Sequence, residues 1–141
     1  MISVQGMNVL LRKIAEANKE VQAKVKRANQ ITSLNIEKGA KENAPTNKQV
    51  GLGGRLRSAI VADHSGTEAN VEVKVDYAQY VEFGTGAFAR EYLASKDKDL
   101  REYAMTFFET GKGRMPAHPF LFPAAEAERP KHVERMRKAL Q

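Results

Sequence analysis

The sequence predicts an α+β fold, and three observations predict it. A long stripe of apolar residues at helical spacing opens the chain, valines alternating with charges occupy the middle, and a second helical stretch closes it. At 141 residues the chain is expected to form one domain, 1–141, with a long N-terminal helix and a small, mainly antiparallel sheet with short helices. Within it, 1–44 reads as the long helix and 45–86 as loop, strands and a short helix. Residues 87–114 read as an inserted helical excursion, and 115–141 as a strand followed by the C-terminal helix.

The first helix rests on Leu10, Ile14, Ala17, Val21, Val25, Ala28 and Ile31, which recur every three or four residues, with Lys13, Glu16, Glu20, Lys24 and Arg27 mainly off that stripe. Asn43-Ala44-Pro45 ends it, because proline lacks a donor and pushes its predecessor out of the α region. A helix of this length would be ~50 Å long, more than one small domain covers. It must therefore break, with Asn29-Gln30 the expected place, or project towards a neighbour. Residues 45–54 are loop material, and Leu52, Leu56 and Ile60 suggest a helical turn packed on the core with Arg55 and Arg57 outside.

A strand is expected at Ile60-Val61-Ala62, a turn at His64–Thr67, and a half-buried strand where Val71, Val73 and Val75 alternate with Glu72, Lys74 and Asp76. Tyr77–Phe83 changes to helical spacing and stops at Gly84. In the excursion, Ser95 is the expected cap of a helix with Leu100, Tyr103 and Phe107 on its stripe and Gly111 at its end. Met115–Leu121 carries two prolines and suits only an edge or terminal strand. Pro123 fits the first turn of the last helix, with Val133, Met136 and Leu140 on one face and a kink or restart at Pro130.

Composition removes several classes of function. There is no cysteine, hence no disulfide framework, thiolate metal site or cysteine nucleophile. No apolar run approaches the roughly 18 residues of a membrane span, and the first residues lack the layout of a signal peptide, so synthesis in the cytoplasm is expected. The net charge of +6 is unevenly placed: residues 1–60 carry 11 basic and 4 acidic side chains, 61–110 carry 5 and 10, and 111–141 carry 7 and 3. Opposite signs on one small domain favour head-to-tail association, while basic stretches also suit phosphate.

Chemical motifs are sparse. His64, His118 and His132 lack metal-ligand spacing, and Gly51-Leu-Gly-Gly and Gly111-Lys-Gly-Arg lack the ending and setting of a phosphate loop. Asp63 with Glu72-Val73-Lys74 has the residue types of a metal-dependent nuclease, in which two carboxylates hold a hard cation and a lysine acts on water. Yet Glu72 and Lys74 alternate with the valines and so belong on the wet side of a strand rather than in a cleft. No catalytic residue, metal or cofactor is expected.

Three ordered stretches carry more information: Ala40-Lys-Glu-Asn-Ala-Pro45 leading into Gly54-Arg-Leu-Arg-Ser-Ala-Ile60, then Tyr77-Ala-Gln-Tyr-Val-Glu-Phe-Gly-Thr85, then Pro119-Phe-Leu-Phe-Pro-Ala124. Together, over about residues 40–124, they resemble the head–tail joining (neck or tail-completion) proteins of tailed bacteriophages. The resemblance implies a non-enzymatic virion protein that forms a homo-oligomeric ring, expected to be a hexamer, at the head–tail junction. The ring would join the head connector or stopper to the tail terminator or tail tube, with genomic DNA passing through without sequence-specific contacts and no membrane involved. Tail terminator or another minor tail ring protein is the alternative; a nucleic-acid-binding protein or nuclease is a more distant one. Interface candidates are Tyr80, Glu82, Phe83, Thr85, Phe120 and Phe122, because aromatics concentrate where subunits meet. Lys48, Arg55 and Arg57 are the candidates for facing DNA in the lumen.

Overall fold

The computed structural model describes residues 5–45, 54–63, 68, 70–108 and 113–141. Leu52, Lys48, the His64–Thr67 turn and Gly111 lie outside the described residues, as does the side chain of Phe107. The architecture is α+β: a long helix, a two-stranded antiparallel sheet, a run of short helices and a closing helix.

Helix α1 (Gln5–Asn43) is continuous over 39 residues, so of the two outcomes open to it the helix projects and does not break at Asn29-Gln30. Nothing interrupts it because no proline lies within it and its one later glycine, Gly39, sits where a close approach is needed. Burial begins at Ala28; residues 9–27 are exposed apart from half-buried Val21 and Val25. From Ala28 onward the helix lies on the last helix, α6 (Leu121–Ala139), its most extensive packing partner. A Cβ built on Gly39 would stand 3.1 Å from that of Ala124, so the two backbones come close there.

Gly54, at φ 77°, turns the chain into α2 (Arg55–Ser58), which plants Leu56 in the core. Strands β1 (Ile60–Asp63) and β2 (Asn70–Val73) pair with Ile60 opposite Val73 and Asp63 opposite Asn70. Ile60, Ala62, Val71 and Val73 face inward; Val61, Asp63, Asn70 and Glu72 face out, as the alternation requires. The outer edge of β1 is satisfied by α1, whose Glu37 carboxylate accepts the Ala62 N–H at 2.8 Å.

Helix α3 (Ala78–Phe83) ends at Gly84, whose φ of 74° suits glycine. A side chain there would stand 2.7 Å from the Ala117 nitrogen and 2.8 Å from the Met115 carbonyl. The excursion holds two helices rather than one: α4 (Gly86–Ala94), which the sequence does not announce, and α5 (Lys98–Phe108). The cap of α5 is Asp97, which accepts the Leu100 N–H at 2.9 Å, while Ser95 instead donates to the Tyr92 carbonyl at the end of α4. Tyr103 is 56% exposed, and Ala104 beside it is the buried residue of α5.

Two further expectations are corrected. Residues 115–120 are extended but join no sheet; Met115 and Thr85 exchange hydrogen bonds, and the His118 N–H reaches the Val81 carbonyl at 2.8 Å. Their partners are the end of α3, because two prolines make a poor ladder strand. Helix α6 runs on through exposed Pro130 without restarting. The face buried on α1 carries Ala124, Glu128 and Ala139, whereas Val133 and Leu140 are exposed.

One cluster gathers Ala40, Leu56, Ile60, Val81, Phe120 and Ala124 between α1, the sheet and α3. A second joins Phe83, Leu93 and Ala104. Phe122 packs on this second cluster, its ring 5.6 Å from that of Phe83 between centroids and tilted by 41°.

Candidate functional site: an apolar groove at the start of the last helix

Helix α6 begins at Phe120-Leu121-Phe122-Pro123 with no capping side chain and no acid in its first turn. Its first donors must therefore be met from elsewhere in the chain. Glu82 of α3, 3% exposed, meets them. One carboxylate oxygen accepts the N–H groups of Phe120 at 2.8 Å and Leu121 at 2.9 Å, and the other that of Phe122 at 3.1 Å. Burial pushes this carboxyl up; the three N–H groups and Lys96 pull it back, leaving it above the ordinary glutamate value. An anion at a helix N-terminus also meets the positive end of the helix dipole.

Over this anchor opens a groove of about 230 Å³, lined by Val73, Val75, Ala78, Gln79, Glu82, Phe83, Tyr103, Phe120, Leu121 and Phe122. Four elements supply it: β2 with the residues following it, α3, α5 and the start of α6. Its lining side chains are mostly aliphatic and aromatic, yet nearly half of the surface it exposes is polar. Among the described residues that line it, Glu82 is the acid, and its oxygens are engaged by three backbone donors. Nearby, Tyr92 packs on the Phe83 cluster with Lys96 4.9 Å above its ring. Burial, together with the charges of Glu82 and Glu126, pushes its phenol up to about 12.

Residues 8–84, from α1 to the end of α3, match the family described as "Bacteriophage HK97-gp10, putative tail-component". The chain belongs to this family. No curated protein and no solved structure matches it. As an HK97-gp10-like protein the chain is a structural tail component of a bacteriophage, and its place is the virion. The match ends before α4, so α4, α5, the extended segment and α6 lie outside it. Among the described residues, no helix is long and apolar enough to cross a membrane.

In this HK97-gp10-like chain the fold brings four of the six interface candidates, Glu82, Phe83, Phe120 and Phe122, around one groove. Phe83 and Phe120 are almost fully buried, so they shape the groove from below. Tyr80 is exposed on α3 and Thr85 is half-buried against Met115; neither lines it. Arg55 and Arg57 are exposed on α2. Arg57 borders a separate shallow hollow with Lys38, Lys41, Glu37 and Glu42 of α1, a mixed-charge grouping in which Lys41 pairs with Glu37 at 2.6 Å. On the outer sheet face Glu72 stands opposite Val61 and Asp63 opposite Asn70, all exposed. Among the described residues no group of three His, Asp or Glu side chains is placed to hold a metal ion.

A polar clasp between α1 and α6 escaped sequence reading. Arg135 donates to Thr32 Oγ1 at 3.0 Å and to Glu128 at 2.8 Å, and Asn35 donates to Glu128 at 3.3 Å. Because an arginine only donates, Thr32 Oγ1 accepts from it, and the same hydroxyl shares a hydrogen bond with His132 Nδ1 at 2.7 Å. Burial pushes the Glu128 carboxyl up, but hydrogen bonds from Arg135 and Asn35 and the charges of Arg135 and Lys131 outweigh it and hold the carboxyl below the usual range. The partners lie about a hundred residues apart, so only the fold joins them.

Proposed function

We propose that this tail component forms a homo-oligomeric ring, a hexamer, at the head–tail junction. There it completes the neck, joining the head connector or stopper to the tail terminator or tail tube. The observation that carries this reading is the family match over residues 8–84, which assigns a tail component. The division of charge and the exposed apolar side chains of the first turns of α1 support it, because both suit a chain that works by fitting against neighbouring protein. The protein breaks no bonds in this role and needs no cofactor. Genomic DNA passes through the ring, with Arg55, Arg57 and Lys48 near its phosphates and no base-specific contacts, since a moving duplex calls for weak, sequence-blind attraction. The whole chain acts as one domain.

Electron microscopy of particles made without the protein tests the position. Separate full heads and finished tails are expected; overlong tails would make it a tail terminator instead. Neutralising Arg55, Arg57 and Lys48 together should reduce infectivity, and unchanged infectivity would remove them from the lumen. Magnesium-dependent DNA cleavage that is lost in Glu72→Gln would overturn the structural reading altogether.

A further inference from the structure

The first turns of α1 carry an apolar stripe that the rest of the chain leaves uncovered. Leu10, Ile14, Ala17, Val21 and Val25 continue, turn by turn, the face that packs on α6 from Ala28 onward. Val25 and Val21 are still half-buried, and beyond them Val9, Leu10, Leu11 and Ile14 are 52–56% exposed. Residues 5–20 reach on the order of 25 Å further as one helix. Elsewhere on the same chain the groove over Glu82 offers a concavity of mixed character, with half-buried Val75, Leu121 and Phe122 among its lining side chains and Tyr103 half in solvent at its lip.

We propose that the groove receives the projecting half of α1 from a second copy of the chain, with Leu10 and Ile14 entering it. Charge selects this occupant. Residues 9–27 carry six basic and two acidic side chains, whereas residues 70–103, which supply seven of the groove's lining residues, carry five and seven. Asp76, exposed, follows the lining residue Val75, and Glu102, exposed and 3.6 Å from Lys98, precedes Tyr103. Lys13, beside Leu10 and Ile14 on the helix, would meet Asp76 and Glu102. Two projecting helices laid against each other would instead bring like charges together. A duplex would have no use for the exposed leucines and isoleucine. The contact joins different surfaces of two copies, so it repeats from copy to copy and closes into a ring when the rotation allows. It rests on the ring reading above and gives that ring its joint.

The chain has no cysteine, which makes the test direct. Full-length Ile14→Cys protein is mixed with full-length Tyr103→Cys protein under mild oxidation, and disulfide-linked species are mapped by mass spectrometry. The expected result is a mixed 14–103 disulfide in excess over either like pair, lost when Leu10→Asp is added to the first partner. In parallel, sedimentation of the cysteine-free chain should show self-association that weakens about tenfold or more in Leu10→Asp/Ile14→Asp and in Tyr103→Arg/Asp76→Lys. These positions are exposed, so unchanged circular dichroism should accompany the loss. Mixing the two double variants leaves one working joint and should yield dimers and nothing larger. A 14–14 disulfide as the main product, or a monomeric wild-type chain, overturns the inference. A ring whose mass is unchanged by both double variants also overturns it while leaving the ring reading intact; that reading stands or falls on the particle images.

Discussion

The two halves of α1 share one helix and one periodicity, yet they meet different fates. On the buried half the inward face is mainly small or polar, with Ala28, Thr32, Ser33, Gly39 and Ala40, and with Ile36 packed on the core. Those residues let α6 come close, with the Thr32–His132 and Arg135–Glu128 contacts completing the seam. On the projecting half the same face carries larger aliphatics: Val25 and Val21 are half-buried, and Ile14 and Leu10 are more than half exposed. Small residues mark the close approach of α6, and the larger ones run on past it. Periodicity fixes which face is sticky, but not what covers it.

Four measurements would break or sharpen that contrast. Ala40→Asp puts a charge at a position with 0% exposure in the buried half and should destabilise the monomer by about 4 kcal/mol or more in urea unfolding. If it cost no more than a change in the projecting half, the division would fail. Next comes Glu82→Ala, which strands the three N–H groups at the start of α6 and should cost about 3 kcal/mol. It should also loosen the groove, which hydrogen exchange at Phe120–Phe122 would report. Gly39→Val should cost about 1–3 kcal/mol by forcing α1 and α6 apart at Ala124. Leu10→Ser is the smallest: within about 0.5 kcal/mol for the monomer, since its side chain is already half in water.

The two buried glutamates offer a contrast of sign. Glu128 is held below its ordinary 4.5, so its contribution is present above that value and is lost as pH falls through its folded-state pKa. Glu82 is raised above 4.5, so its contribution is present below that value and is lost as pH rises through its folded-state pKa. Relative to wild type, Glu128→Gln should therefore lose its disadvantage on acidification, and Glu82→Gln should lose its disadvantage as pH rises. Stability curves for the two variants from acid to neutral pH should run in opposite directions; parallel curves would remove the assigned causes.

Much of this architecture was legible because it depends on local pattern. Helix α1, the hairpin, α3 with its Gly84 stop, and the start of α6 near Pro123 follow from spacing and from what glycine and proline permit. Where reading failed, a distant partner had decided. Ser95 and Asp97 are both plausible caps, and the choice of Asp97 depends on where α4 stops, a helix that has no strong signal of its own. Met115–Phe120 resembles a strand in composition, but its donors and acceptors are claimed by Thr85, Val81 and Glu82. One clue to the Glu82 anchor was available: a helix that opens on Phe-Leu-Phe-Pro without a cap must find an acceptor from another element. The clasp of Thr32, Glu128, His132 and Arg135 left no such clue.

The sequence by itself determined the α+β class, the helical stripe, the division of charge and membership in a tail-component family. These depend on neighbours along the chain or on pattern over the whole of it. Tertiary structure alone decided that Glu82 is an internal anchor, that Phe83, Phe120, Phe122 and Tyr103 border one groove, and that the stripe of α1 is uncovered only beyond half-buried Val21. Burial and hydrogen bonding between residues far apart in the chain arise only once the elements pack, and no local spacing encodes which distant group will be there.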